Sequence, residues 1–278
     1  MIERLTRHLV RPAAERVRHI SHEQHQPLSQ RLRCLSFNMQ AGMGMAEPHH
    51  YLTRSWQHLL PHPNSREHLA RIARLLSNYD IVALQEVDGG SLRSAYVNQI
   101  EALATQAGFA WAHQQLNRDL GPLGQFSNAM LSRLCPAVVE EYALPGLRGR
   151  GALLVRYALE QGQQLAVLNL HLALSRQGRQ RQLAFVAELI ADIPHVVIMG
   201  DLNCTVAELG ETALGQRDWR WLDDHLPTYP SWRPQRQIDH ILVSSGLLIT
   251  EAVALDVRLS DHCPLALELL LPAELVPA

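Results

Sequence analysis

Six short apolar runs, spread from Ser36 to His262, each meet a metal-binding or proton-transferring side chain: Ser36-Phe37-Asn38, Leu84-Gln85-Glu86, Asn169-Leu170-His171, Gly200-Asp201-Leu202-Asn203, Ile238-Asp239-His240 and Ser260-Asp261-His262. A buried strand holds its backbone rigid while a polar residue at its carboxyl end faces a crevice, so several such strands can aim at one point. A chain written this way is constrained to gather its strand ends. The side chains collected (Asn, Glu, His, Asp, Asn, Asp, Asp, His) are rich in oxygen and include no thiolate cluster. They suit a hard divalent cation and a phosphate ester.

Between these runs the periodicity alternates. Ser65 can cap a helix running to about Asn78, with Leu69, Ile72, Leu75 and Leu76 on one side, and Asn98 to Ala107 reads as a second helix ended by Gly108. The middle of the chain supplies strands with little helix between them: Ala110–Gln114, Ser127–Leu131, Val138–Tyr142, Ala152–Tyr157 and Gln164–Leu170. Such a run favours hairpins over βαβ crossovers. Arg176 to Ala191 is a third helix, and strands follow at Val196–Met199, Ile238–Val243, Ala252–Leu255 and Leu265–Leu270. Mixed sheets with helices outside imply two facing β-sheets between helical layers.

With 278 residues, 47% of them hydrophobic, the chain can bury a large core. We expect one domain over residues 31–272, preceded by a basic amphipathic helix and linker (1–30) and followed by a short tail (273–278). Ile2, Leu5, Leu9, Ala13, Val17 and Ile20 recur at helical spacing among arginines, so residues 1–20 offer either a peripheral membrane contact or a helix docked on the domain. The net charge of −2 gives no global positive field for nucleic acid, although a local patch remains open. All 25 basic residues are arginine, which excludes a Schiff-base lysine, a P-loop lysine and a Ser-Lys dyad. Cys34, Cys135, Cys204 and Cys263 are far apart, without C-x-x-C spacing, and read as reduced core residues. No stretch approaches the roughly 20 uninterrupted apolar residues of a membrane span, and a cytoplasmic monomer is expected.

The six motifs in this order, joined by Ser127-Asn128-Ala129-Met130-Leu131-Ser132-Arg133, resemble the endonuclease/exonuclease/phosphatase superfamily from about Arg33 to Leu270. The resemblance implies the DNase I-like fold, a four-layer α/β/β/α sandwich of two mostly antiparallel, mixed β-sheets packed face to face. It also implies a metal-dependent phosphoric ester hydrolase. His171 is similar to the residue of the His-containing branches (DNase I-like nucleases, sphingomyelinases, inositol-polyphosphate phosphatases, deadenylases), where abasic endonucleases of the exonuclease III type carry an Asn-containing segment. His240 stands where Tyr is common.

Roles follow from chemistry beside that resemblance. Glu86 is the expected Mg²⁺ or Mn²⁺ ligand, since a hard octahedral ion takes one or two carboxylates and leaves its other positions to water and phosphate. Asn38 can add an amide oxygen, and Asp261 can hold a second ion or brace its loop. His262 is the expected general base, with Asp239 fixing its tautomer. Asp201 and Asn203, two apart across Leu202, would face the site together if the backbone is extended. Asn203 can donate to phosphorane oxygens, and Asp201 can align the water or manage the leaving-group proton. His171 would place positive charge on a non-bridging oxygen. Asn128 is expected at the substrate, as are Arg176 and Arg179 at the start of the helix after His171. Trp219, Trp221, Tyr229 and Trp232, with Arg220, Arg233 and Arg236, suit base stacking, a lipid headgroup or plain loop packing. The expected function is phosphodiester hydrolysis with nucleic acid as first substrate. The alternatives are a phospholipid or sphingomyelin-type phosphodiesterase and a non-catalytic binding module on the same fold.

Overall fold

The computed structural model describes residues 18–19, 29–42, 65–146, 148–222 and 226–276. In chain order the strands are β1 (Arg18–His19), β2 (Arg31–Asn38), β3 (Ile81–Asp88), β4 (Trp111–Asp119), β5 (Gln125–Ser132), β6 (Val138–Ala143), β7 (Gly151–Ala158), β8 (Gln164–His171), β9 (His195–Asp201), β10 (Trp219–Arg220), β11 (Asp239–Ser244), β12 (Leu248–Ala254) and β13 (Leu265–Leu270). The helices are α1 (Ser65–Leu76), α2 (Gln99–Ala107), α3 (Arg176–Leu189) and α4 (Val206–Gly210). One sheet runs β1-β4-β5-β3-β2-β13-β12 and the other β10-β11-β9-β8-β7-β6.

Three apolar clusters define four layers. Ile81, Met130, Val155, Val167, Val197 and Leu265 fill the space between the sheets. Leu69, Ile72, Leu76, Ile100 and Leu103 pack α1 and α2 on the outer face of the first sheet, and Leu183 and Val186 pack α3 on the second. Burying each such side chain contributes about 1.5–3 kcal/mol. The expected sandwich is observed, and the chain has the DNase I-like fold.

Strand direction explains why the polar tips meet. The parallel pairs are β2–β3 and β8–β9, which put Asn38, Glu86, His171 and Asp201 at carboxyl ends on one edge. Antiparallel neighbours reach that edge with their starts: Asp239 opens β11 opposite Asp201, and Asp261 and His262 come just before β13, whose Leu265 pairs with Ser36. The expectation that every motif closes a strand therefore fails for two of six. Both reach the site because their strands run the other way.

Two local features pin this edge. Gly200 has φ +152, and a Cβ there would sit 1.9 Å from the Leu170 carbonyl oxygen, so only glycine lets β9 approach β8 this closely. Asn169, fully buried, donates to the carbonyl oxygens of Leu84 and Ala129 at 2.8 Å and accepts from Gln85 Nε2 at 2.8 Å, tying one sheet to the other under the site.

Several expectations change. The helical spacing read through Ile20 fails at Arg18 and His19, which pair with Ala112 and Trp111, and the remainder of that segment lies outside the described residues. Within the expected tail, Ala273–Leu275 forms a 3-10 turn and Leu275 is buried in the inter-sheet core, while residues 277–278 lie outside the described residues. Cys34, Cys204 and Cys263 are buried and unbridged, whereas Cys135 is exposed. Among the described residues, no helix is long and apolar enough to cross a membrane.

Candidate active site

Asp201 is the hub. Its neighbours in register are His171 on β8 and Asp239 on β11. Its Oδ2 accepts from Asn38 Nδ2 at 3.1 Å, and His171 Nε2 and His262 Nε2 lie 3.5 and 4.0 Å from that same oxygen. Its Oδ1 accepts from the Asn203 backbone N–H at 3.0 Å. β9 ends here, and Asn203 adopts φ +53, so the two side chains share the cavity through a tight turn and not through extended backbone. Leu202 between them is buried in the α3-side core, as expected.

Asp239 Oδ2 and His262 Nδ1 pair at 2.8 Å, and both residues are almost fully buried. Thr228 Oγ1 donates to the same carboxylate oxygen. The loop carrying Thr228 is tied to the strand start by backbone bonds from Cys263 N to Thr228 O and from Ser231 N to Asp261 O. The Tyr229 ring packs against His262, centroids 5.0 Å apart. Burial alone would lower the His262 pKa, but Asp239, its hydrogen bond, Asp201 and Asp261 outweigh this and hold it well above the ordinary value. Burial, together with the neighbouring Asp239, pushes Asp201 up to about 7.

Glu86 is placed differently. β3 slips register with β5 between Leu84 and Val87, and Glu86 at this bulge has φ +54. A non-glycine residue held there costs on the order of 1–3 kcal/mol, and the bulge turns its side chain into the cavity. Burial and Asp261 raise its pKa, with His262, Asn38 and Arg150 opposing.

A cavity of about 480 Å³ gathers Glu86, Arg150, His171, Asp201, Asn203, Asp261 and His262. Of the expected residues, Asn38 abuts it through Asp201, with its amide nitrogen toward the carboxylates and its Oδ1 accepting from Gln40 N at 3.1 Å. The expected oxygen ligand is thus turned away. His171 is driven well below the ordinary histidine pKa by burial, Arg150 and His262, so it offers a neutral N–H and not the expected charge. Arg179 lines the rim but spends its guanidinium on Leu174 O and Glu208. Arg176 is exposed, pairs with Glu211 at 2.8 Å and lines neither this cavity nor its neighbour. Asn128 lies in the neighbouring cavity, donating to Gly151 O. Trp219 is buried, with its indole N–H on Leu214 O, and is unavailable for stacking. His240 is buried with Nε2 on Cys204 O, which accounts for a histidine at that position as packing.

Sequence reasoning missed Arg150, Thr228 and the placement of Tyr229. Arg150 lines the cavity with Glu86 and Asp201, and burial lowers its pKa while these two carboxylates raise it. Only its neighbouring glycines, marking a turn, hinted at it.

Two donor sets could hold a cation. Asp201, Asp239 and His262 present ligand atoms all within 4.8 Å of one another. In that group Asp239 gives Oδ2 to both His262 and Thr228, while its Oδ1 is buried without a hydrogen-bond partner. Glu86 faces the cavity near Asp261, with His171 Nε2 3.8 Å from its Oε1 and Asn38 bonded to its carboxylate, and its pKa is raised first by burial and then by Asp261. An oxygen set of this kind fits a hard divalent ion.

Residues 35–262 match the sequence profile of the Endonuclease/Exonuclease/phosphatase family. The chain belongs to that family. Its members hydrolyse phosphoester bonds, generally with a divalent metal, and this endonuclease/exonuclease/phosphatase protein is a phosphoester hydrolase. It is 28% identical over 230 residues to the uncharacterized protein YbhP of Escherichia coli (strain K12), covering 68% of this chain and 83% of that one. Among solved structures it is similar to the endonuclease/exonuclease/phosphatase of Beutenbergia cavernae, with TM-score 0.68, 21% identity, and 87% and 72% of the two chains covered. It is also similar to the mannosyl-6-phosphatase Bt3783 of Bacteroides thetaiotaomicron, with TM-score 0.61, 17% identity, and 86% and 99% covered.

Proposed function

We propose that this protein is a Mg²⁺- or Mn²⁺-dependent phosphodiesterase of the His-containing kind, with nucleic acid as its first substrate class. The observation that carries the reading is the meeting of the Asp239–His262 pair, Asp201, Glu86 and Arg150 around one cavity. Glu86 would hold the ion, with Asn38 orienting that carboxylate and Asp261 near it. When bound, the ion would supply Lewis-acid polarisation of a phosphoryl oxygen.

The chain's own residues do the rest. Asp239 on Nδ1 leaves His262 Nε2 facing Asp201, where it takes a proton from water as the water oxygen attacks phosphorus. The P–O ester bond opposite breaks, and the alcohol leaves without a covalent enzyme intermediate. His171 donates a neutral N–H to a non-bridging oxygen, Arg150 adds the positive charge, and Asn203 has a second amide N–H beyond the one given to Leu172 O. Asp201, held near neutral pH, can pass a proton to the leaving oxygen.

The test is hydrolysis of bis-p-nitrophenyl phosphate by pure protein, expected with magnesium and absent after chelation. No turnover with any divalent ion would overturn the reading in favour of a binding module. Plasmid nicking, phosphocholine release from sphingomyelin vesicles and phosphate release from mannose 6-phosphate then separate a nuclease from a lipid diesterase and from the monoester activity named for the Bacteroides relative.

A further inference from the structure

Beside the catalytic cavity lies a second one of about 440 Å³, and the two share Glu86, Arg150, His171 and Leu174 as a common wall. This volume is within the usual span of ligand pockets. Its other lining includes Arg118, Arg148, Phe126 and Asn117. The β4 strand is irregular between Leu116 and Arg118, which re-aims Arg118 at the sheet edge. Gly149 has φ +102, and a Cβ there would touch the Arg118 stem at 3.4 Å, so the turn carrying Arg148 and Arg150 lies along Arg118. Three guanidinium side chains thereby border one cavity, in a chain whose net charge is −2. Among the described residues, Arg118 and Arg148 are exposed and, like several other surface arginines, in no ion pair; what sets them apart is that both line this cavity.

Unpaired guanidinium groups around a concavity match a planar or tetrahedral oxyanion in geometry as well as charge. The same field opposes a quaternary ammonium. We propose that this second cavity binds a further phosphate carried by the substrate next to the scissile ester, with Arg118 and Arg148 as its ligands. The proposal rests on the phosphodiesterase reading and narrows it: the preferred diester is a polyanion of the nucleotide kind, and a choline headgroup is not accommodated on this side. Arg150, on the shared wall, is the residue both phosphates would meet.

Two chromogenic esters that differ by one phosphate test this directly: thymidine 5′-(p-nitrophenyl phosphate) and the same compound phosphorylated at the 3′-oxygen. The wild type is expected to show a KM lower by roughly tenfold or more for the 3′-phosphorylated ester, an advantage that shrinks as salt is raised. In the double variant Arg118→Ala/Arg148→Ala the KM ratio falls to near one, and in Arg118→Lys/Arg148→Lys, which keeps the charge, most of it returns. A KM ratio is unaffected by partial loss of active protein, so a poorly folded variant does not imitate the result. A ratio of one in the wild type, or an unchanged ratio in the alanine variant, overturns the proposal. Should neither ester be hydrolysed, the phosphodiesterase reading fails by itself, and calorimetry takes over. Thymidine 3′,5′-bisphosphate binding tighter than thymidine 5′-monophosphate, with the difference lost in the alanine variant, supports the second site, and equal affinities overturn it.

Discussion

On the side of the first sheet, Glu86 stands on a bulge in a left-handed conformation with about 32% of its side chain exposed, while across the cavity Asp239 and His262 are almost wholly buried and bonded to each other. One half leaves a carboxylate open to solvent exchange, as a site for a dissociable cation must. The other is closed and hydrogen-bonded on both partners, as a proton-handling pair must be if its tautomer is to stay fixed. Asp201 sits between the halves, touched by Asn38 from one side and by His262 from the other. Its raised pKa comes first from burial and then from the neighbouring Asp239, with His262 and Asn38 opposing.

The largest effect expected from breaking this division is in the closed half. His262→Ala should lower kcat for bis-p-nitrophenyl phosphate on the order of 10²–10⁴-fold, and Asp239→Asn should do the same with unchanged folding by circular dichroism. A loss under about threefold for His262→Ala would remove it as the base. Next, Arg150→Ala, at the seam, should cost about 10²-fold in kcat/KM; steady-state kinetics that show no loss would leave Arg150 as scaffolding.

Asp201 sharpens the comparison through stability. Its folded pKa, about 7, lies above the ordinary 3.8, so the unfolded chain ionises first and the metal-free fold loses stability as pH rises between those values. His262, also raised, contributes stability that is fully present below 6.5 and is lost as pH climbs past its own raised value. Thermal melts of the chelated wild type should therefore fall from pH 5 to pH 8. Asp201→Asn should flatten that slope by on the order of 1–2 kcal/mol, and an identical slope would show that the carboxylate is not strained by its neighbours. The smallest effect is reserved for Arg176, where Arg176→Ala should change stability and turnover by less than about 0.5 kcal/mol, because its pair with Glu211 is exposed. A tenfold loss of activity there would restore it to the substrate.

What the sequence made legible follows the same divide. Residues at strand tips were readable because a polar side chain after an apolar run is a local signal: Glu86, His171, Asp201 and His262 line one cavity, and Asp239 stands behind His262. The left-handed turns at Glu86 and Asn203 were not readable, since neither is glycine and only tertiary packing holds them there. Arg150 and Thr228 escaped because their roles come from neighbours distant in the chain. The layers were legible from strand and helix alternation, but α4 is five residues long and β10 two, too short for periodicity to register. For the arginines near His171, charge and proximity in sequence were misleading. Glu208 and Glu211, carried on and just after α4, take them up.

The division of labour is tested most directly by titrating Mn²⁺ into the metal-free protein and following its paramagnetic resonance signal, in the wild type, Glu86→Gln and Asp239→Asn. One site is expected, with a Kd that weakens about tenfold or more in Glu86→Gln and stays nearly unchanged in Asp239→Asn. Binding kept by Glu86→Gln and lost in Asp239→Asn would put the ion on Asp201, Asp239 and His262, and would contradict that division.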